Sequence, residues 1–138
     1  MTDDLLPGCR LVPLAVRGDA RGSLVAIEGT SDIPFAIERV YYVYATVTGV
    51  TRGLHAHRAL HQLAVAVAGS CTMLLDDGTN KVSVRLDDPA TGLTRGPMIW
   101  REMSDFSPDC VLMVLADAAY DEADYIRDYG EFLALAKA

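Results

Sequence analysis

The stretch Arg52-Gly53-Leu54-His55-Ala56-His57, followed by Leu63-Ala64-Val65-Ala66-Val67-Ala68 and Gly69, decides how this chain is read. In a β-strand alternate side chains share a face, so His55 and His57 project together while the small Ala56 points the other way. Two of the chain's three histidines therefore meet at one place, and the third, His61, lies four residues on. The run 63–68 has no polar alternation, as expected of a strand covered on both faces, and Gly69 ends it. The paired imidazoles fit a proton-transfer site, a metal site, or histidines on a polar strand edge.

Turn signals recur at short intervals on either side of this stretch. Residues 11–16 and 23–27 read as short strands separated by Gly18-Asp19-Ala20-Arg21-Gly22. Residues 36–47 follow Pro34 and are dense in Ile, Val and Tyr, so they read as a long strand dividing Tyr41, Tyr42 and Tyr44 between its faces. Residues 71–75 run into the hairpin signal Asp76-Asp77-Gly78. Residues 81–86 return with Val82, Val84 and Leu86 inward and Lys81, Ser83 and Arg85 outward. Asp88-Pro89 and Gly96-Pro97 punctuate the next segments; residues 98–103, carrying Trp100 and Arg101, and residues 111–116 read as further strands. Only residues 131–138, rich in Ala, Leu, Glu and Lys, read as helix. The pattern predicts an all-β fold with one domain, residues 1–138: a jelly-roll β-barrel that closes its own edges and carries a short C-terminal helix.

With 51% apolar residues in 138, the chain can bury a core without staples. Its net charge of −7 comes from acids spread along its length, which excludes a general affinity for nucleic acid. Arg39, Arg52, Arg58, Arg95 and Arg101 fall near the histidines or the aromatic runs, a distribution suited to a local anion site for a phosphorylated small molecule. Cys9, Cys71 and Cys110 have no C-x-x-C spacing and read as free thiols in or near the core. The start Met1-Thr2-Asp3-Asp4 lacks a basic region followed by an apolar stretch, and no run approaches the roughly 18 apolar residues of a membrane span, so the chain is read as cytoplasmic.

His-x-His followed by an apolar strand and a glycine resembles the first signature of the cupin superfamily of small jelly rolls. Metal-binding cupins add a Glu and a late-strand His to that pair. Here Gln62 and Arg101 stand at those places, and a guanidinium cannot ligate a metal, so neither metal nor cofactor is expected. A closer resemblance runs from Arg21-Gly22-Ser23-Leu24 to Tyr120-Asp121-Glu122-Ala123-Asp124-Tyr125-Ile126-Arg127. It passes through Ile33-Pro34-Phe35, Arg39-Val40-Tyr41-Tyr42, Arg52 to His57, Leu60-His61-Gln62 and Gly96-Pro97-Met98-Ile99-Trp100-Arg101-Glu102-Met103. It is to the sugar 3,4-ketoisomerases. The resemblance implies a dTDP-linked 4-keto-6-deoxyglucose substrate, a metal-free reaction, a His like His55 as base, a Tyr like Tyr41 beside the sugar and a domain-swapped homodimer.

The residue types suit that chemistry. A C4 carbonyl acidifies the hydrogen on C3, and a neutral imidazole with an ordinary pKa of about 6.5 can remove it to give an enediol and return a proton at C4. His55 is the expected base. For His57 three roles stay open: orienting His55, contacting the enediolate oxygen, or relaying a proton. Tyr41 is the candidate hydroxyl donor to the sugar. Arg101 is the candidate for stabilising the developing oxyanion, against a buried ion pair with Glu102 or Asp105. Arg39 and Arg52 are the candidates for the diphosphate, and Arg21, Gln62 and Trp100 complete the expected substrate-binding set, with Arg21 otherwise a turn cap and Trp100 otherwise core. The dimer is expected to form by exchange of residues 11–27, which would bring Arg21 to the partner's site. Two rivals remain, a dTDP-sugar 3,5-epimerase and a non-catalytic sugar-binding cupin. The product configuration at C4 is left open.

Overall fold

The apolar run at residues 63–68 has no wet face because its strand lies inside a six-stranded antiparallel sheet. In this computed structural model, which describes residues 3–138, that sheet has the order β1 (Asp3–Leu6), β2 (Cys9–Pro13), β10 (Thr91–Arg95), β7 (Gln62–Ala68), β12 (Val111–Ala116) and β5 (Arg39–Val43). Ala64 and Ala66 face one core and Leu63 and Val65 the other. A second sheet has the order β13 (Tyr125–Ile126), β6 (Arg52–His57), β11 (Trp100–Ser104), β8 (Cys71–Asp76) and β9 (Lys81–Leu86). The two pack face to face around Leu93, Leu112 and Val114 from one side and Met73, Leu75 and Leu86 from the other. Each outer face is covered in turn. Leu14 and Ile33 lie over Leu63, Val65 and Leu115, while α1 (Tyr129–Ala136) lays Phe132 over Ala56, Trp100 and Ile126.

The expected jelly roll is present as a sandwich. Among the described residues no strand pair joins one sheet to the other, so hydrogen bonding does not run round a closed barrel. The free edge of β9 is guarded instead by the exposed Lys81, Ser83 and Arg85. The hairpin from β8 to β9 has the expected register, Asp76 opposite Lys81, and the inward Val82, Val84 and Leu86. Cys9, Cys71 and Cys110 are buried free thiols.

Several boundaries move for local reasons. The stretch 11–16 is interrupted after Pro13, where Leu14 turns down onto β7 and its N–H donates to Ala90 O at 2.8 Å. Beyond it β3 (Val16–Asp19) and β4 (Gly22–Val25) form a two-stranded hairpin paired with no other strand. The tyrosine-rich strand stops at Val43, before Ala45 with a φ of 53°. The helix starts two residues earlier than its composition suggests, because Asp128 caps it by accepting from Glu131 N at 2.9 Å. The short strands β1, β10 and β13 give little periodic signal. Met1 and Thr2, on which the reading of the N terminus partly rests, lie outside the described residues. No helix among the described residues is long and apolar enough to cross a membrane.

One end of the sandwich is polar. The pairing aligns Cys9, Arg95, Gln62, Ala116 and Arg39 in a row across the first sheet. Opposite that row the second sheet places His57 beside Tyr125, and His55 beside Arg101.

Candidate active site

His55 owes its position to a bulge. Arg101 opposes His55 and the next residue, Glu102, opposes Gly53, so Leu54 is the extra residue in β6. Both bulge residues have left-handed backbones, Gly53 at φ 88° and Leu54 at φ 55°. A Cβ on Gly53 would lie 3.1 Å from Arg101 O and 3.3 Å from Met103 Cε, so glycine is required there by space as well as by torsion. Leu54, 45% exposed, bears the strain in solvent. The Gly53 carbonyl then meets His55 Nδ1 at 2.9 Å.

The two imidazoles do share a site. His55 Nε2 lies 3.2 Å from His57 Nε2, with the rings edge to face at 89°. His57 is 1% exposed, and its Nδ1 is 2.9 Å from Asp124 Oδ2. Tyr125 packs against both rings, at centroid distances of 5.0 Å and 4.4 Å. Burial, and next the charge of Arg101, push His55 down from 6.5 to about 4 and His57 to about 2. Both are therefore neutral at neutral pH, the form a base needs.

Arg101 is fully buried without a carboxylate partner. Its Nη1 donates to Gln62 Oε1 at 2.5 Å, and its Nε and Nη2 donate to Ile99 O at 3.2 and 3.1 Å. Glu102 instead accepts from Trp100 Nε1 and Asp105 pairs with Arg85, so the ion pair considered for Arg101 is absent. Because Gln62 presents its oxygen to Arg101, its amide N–H donates to Tyr41 Oη at 2.9 Å. Tyr41 has thereby accepted a hydrogen bond, and its own O–H is left to point elsewhere.

A cavity of about 430 Å³ opens beside this chain, walled by His55, Tyr41, Arg39, Arg52, Arg127 and Tyr120, among others. The structure thus brings His55, Tyr41, Arg39 and Arg52 to one opening, with His57, Gln62 and Arg101 buried behind it. Trp100 is not brought there. Its ring packs on Tyr129 and Phe132 beneath the helix, on the other face of its sheet, which fits its apolar neighbours better than a sugar wall. Arg21 is not there either; it sits on the hairpin, 90% exposed, with Nη2 2.6 Å from Asp19 Oδ2. No group of three or more His, Cys, Asp or Glu among the described residues is arranged to share one metal ion. A larger cavity of about 680 Å³, with His61, Phe35 and Arg95 in its wall, shares Gln62 with this end of the fold but lacks the histidine pair.

Sequence reasoning missed Asp124, Tyr125 and Arg127. All three lie just beyond Tyr120-Asp121-Glu122, which reads as a turn, and nothing in a crowd of acids singles out the one that faces His57. Arg127 stacks 4.3 Å over Tyr125 and is held by both oxygens of Glu122, while Arg39 lies 5.3 Å over Tyr41 with its Nε buried and unpartnered among the described residues. Arg95, which in sequence stands out only as one of a group of arginines, is 2% exposed, and its Nε and Nη2 have no partner among the described residues.

Sheet order and polar end together define a cupin-type jelly roll whose open cavity holds a neutral histidine. The FdtA family (WxcM-like, C-terminal) matches residues 7–137, and the chain belongs to that family. It is 55% identical over 114 residues, 83% of this chain and 82% of the relative, to the TDP-4-oxo-6-deoxy-alpha-D-glucose-3,4-oxoisomerase of Aneurinibacillus thermoaerophilus. A mutant of the 3,4-ketoisomerase QdtA from Thermoanaerobacterium thermosaccharolyticum, solved in complex with TDP-4-keto-6-deoxyglucose, superposes with a TM-score of 0.94 at 42% identity over 96% of each chain. The 4-keto-6-deoxy sugar epimerase NovW from Streptomyces spheroides shares the fold at 19% identity and a TM-score of 0.77, over 91% of this chain and 71% of its own.

The lowered histidines make stability depend on pH with a definite sign. An unfolded chain takes up protons on His55 and His57 near 6.5, whereas the folded chain takes them up only near about 4 and about 2. Between pH 6.5 and 4.5 the unfolded state therefore binds more protons, and stability falls as pH falls. The lowered carboxylates Asp19 and Glu122 add to this only below 4.5. Calorimetry should show Tm dropping steadily from pH 6.5 to 4.5. A flat or rising Tm would mean that His57 stands as an imidazolium paired with Asp124.

Proposed function

We propose that this chain is a sugar 3,4-ketoisomerase acting on TDP-4-keto-6-deoxyglucose, moving the carbonyl from C4 to C3 in the making of a deoxy or amino sugar, with His55 as the base. The observation that carries the reading is a neutral imidazole in the wall of a cavity that also presents Tyr41 and three guanidiniums, in a chain 55% identical to a TDP-4-oxo-6-deoxy-glucose oxoisomerase. His55 removes the C3 proton. The C–H electron pair becomes the C3–C4 double bond and the carbonyl pair moves onto O4. The Tyr41 hydroxyl, left free by the hydrogen bond it accepts from Gln62, donates to that oxygen, and the charge of Arg101 reaches it through the Gln62 amide. Return of the proton at C4, with the O3 hydrogen passing to O4, leaves the carbonyl at C3 and a hydroxyl at C4. Arg39, Arg52 and Arg127 line the opening and supply fork-shaped donors for the diphosphate. We assign the enzyme to the cytoplasm.

The catalytic reading is checked by offering the purified protein TDP-4-keto-6-deoxyglucose and determining the product by NMR. A 3-keto sugar is expected. Unchanged substrate would make the chain a binder, and inversion at C3 and C5 with the carbonyl still at C4 would make it an epimerase. His55→Asn should lower kcat by about 10²–10⁴-fold while nucleotide binding persists; near-full activity would remove His55 as the base.

We also propose a two-fold dimer with a composite site. The structure keeps Cys9–Pro13 in its own sheet against Thr91–Arg95, so the segment available to a partner is the hairpin Val16–Asp19 and Gly22–Val25. Val16 and Leu24 on the hairpin, and Val40 and Tyr42 on the edge strand β5, are all at least half exposed. Arg21, absent from its own cavity, would then serve the partner's. Sedimentation at micromolar concentration should give twice the 14.9 kDa chain mass. A fully active species of single mass would contradict the dimer.

A further inference from the structure

Asp124 reaches the histidine pair from the 3-10 turn Glu122–Asp124. Its Oδ1 accepts from Ala59 N at 2.8 Å and its Oδ2 faces His57 Nδ1 at 2.9 Å. An ionised carboxylate can only accept, so His57 carries its hydrogen on Nδ1. The Gly53 carbonyl can likewise only accept, so His55 also carries its hydrogen on Nδ1. Each neutral ring then presents a bare Nε2, and the two bare nitrogens lie 3.2 Å apart. At rest the two bare nitrogens meet with their rings edge to face, across a gap that one proton on His55 Nε2 would turn into an N–H···N contact.

We propose that Asp124, acting through His57, makes the two imidazoles a single proton-holding pair, in which the proton leaving C3 settles on His55 Nε2 and is held there by His57 Nε2 until its delivery to C4. The identity of the carbon acid rests on the ketoisomerase reading; the arrangement of hydrogens does not. The C3–H bond breaks, its electrons stay with the carbon skeleton as the enediolate double bond, and an N–H bond forms on His55. Protonation at C4 reverses this, so atoms and electrons balance without an oxidant or reductant. His57 is buried, does not line the cavity and never needs to touch the sugar. Asp124 supplies the counter-charge for the transient imidazolium, against the positive charges of Arg101, Arg95, Arg39 and Arg127. It is a positioning residue, held for that task by the hydrogen bond its Oδ1 accepts from Ala59 N.

Asp124→Asn separates this role from mere support. Ala59 N–H still needs an oxygen, so the new amide nitrogen faces His57 Nδ1 and donates to it. His57 is then forced to carry its hydrogen on Nε2, aimed into the lone pair that His55 uses. Nitrogen-15 NMR of histidine-labelled protein at pH 8, without substrate, should show both His55 and His57 protonated at Nδ1 in the wild type. In Asp124→Asn the His57 hydrogen should move to Nε2, kcat should fall about 10²-fold or more with KM nearly unchanged, and Asp124→Glu should recover part of the loss. An Nε2-bound hydrogen on either ring of the wild type overturns the inference, and so does an Asp124→Asn enzyme with full kcat or with its loss confined to KM. If the variant does not fold, the wild-type spectrum decides alone. A wild type inert toward the sugar would sink the ketoisomerase reading while that spectrum still judged the pair.

Discussion

The bond from Arg101 Nη1 to Gln62 Oε1 spans the two sheets at their polar end, and most of the site hangs from it. A guanidinium stripped of water is costly, and here no carboxylate offsets that cost. Three of its N–H groups are instead directed at fixed oxygens, those of the Gln62 amide and the Ile99 carbonyl. Three consequences follow from this one cation. It orients the Gln62 amide, which fixes which way the Tyr41 hydroxyl can donate. It keeps both imidazoles neutral by like-charge repulsion added to burial. It also holds positive potential behind the place where an enediolate would gather charge, in surroundings of low dielectric where such potential acts strongly.

The division of labour between the histidines follows from exposure. His55 stands in the cavity wall, and His57 is sealed behind it between His55, Tyr125 and Asp124. The bulge at Gly53 and Leu54 brings the Gly53 carbonyl to the His55 ring and so fixes the orientation of that ring. A base that must give its proton back gains from a low pKa, since its conjugate acid then releases the proton readily. What it lacks in affinity for the proton, a neighbouring lone pair can restore for the life of the intermediate.

The fold was legible where one periodicity ruled. The alternation at residues 81–86, the unbroken apolar run at 63–68 and the Asp-Asp-Gly turn each led to the observed strand. Strands such as Thr91–Arg95 were not, because five residues between two turns, with a glycine among them, carry no pattern to read. His55, His57, Tyr41 and Gln62 came together as expected because they lie on long strands whose faces alternation dictates. Asp124 stayed hidden because its position depends on a 3-10 turn and two strand residues, which bring it to His57 from 67 residues away in sequence. Trp100 misled for a simple reason: it neighbours Arg101 in sequence, and in a strand neighbours face opposite ways.

The central claim is that the hydrogen moves from C3 to C4 as a proton carried by His55, and the most direct measurement of it is solvent deuterium incorporation. With the reaction run to equilibrium over many turnovers in D₂O, the N–H held on His55 exchanges with solvent in a fraction of passages, so deuterium should accumulate at C4 of the 3-keto sugar and at C3 of the recovered 4-keto sugar, and in neither when His55→Asn replaces the wild type. Interconversion of the two ketones with no solvent deuterium at either carbon would mean a direct hydride shift, and would contradict the account.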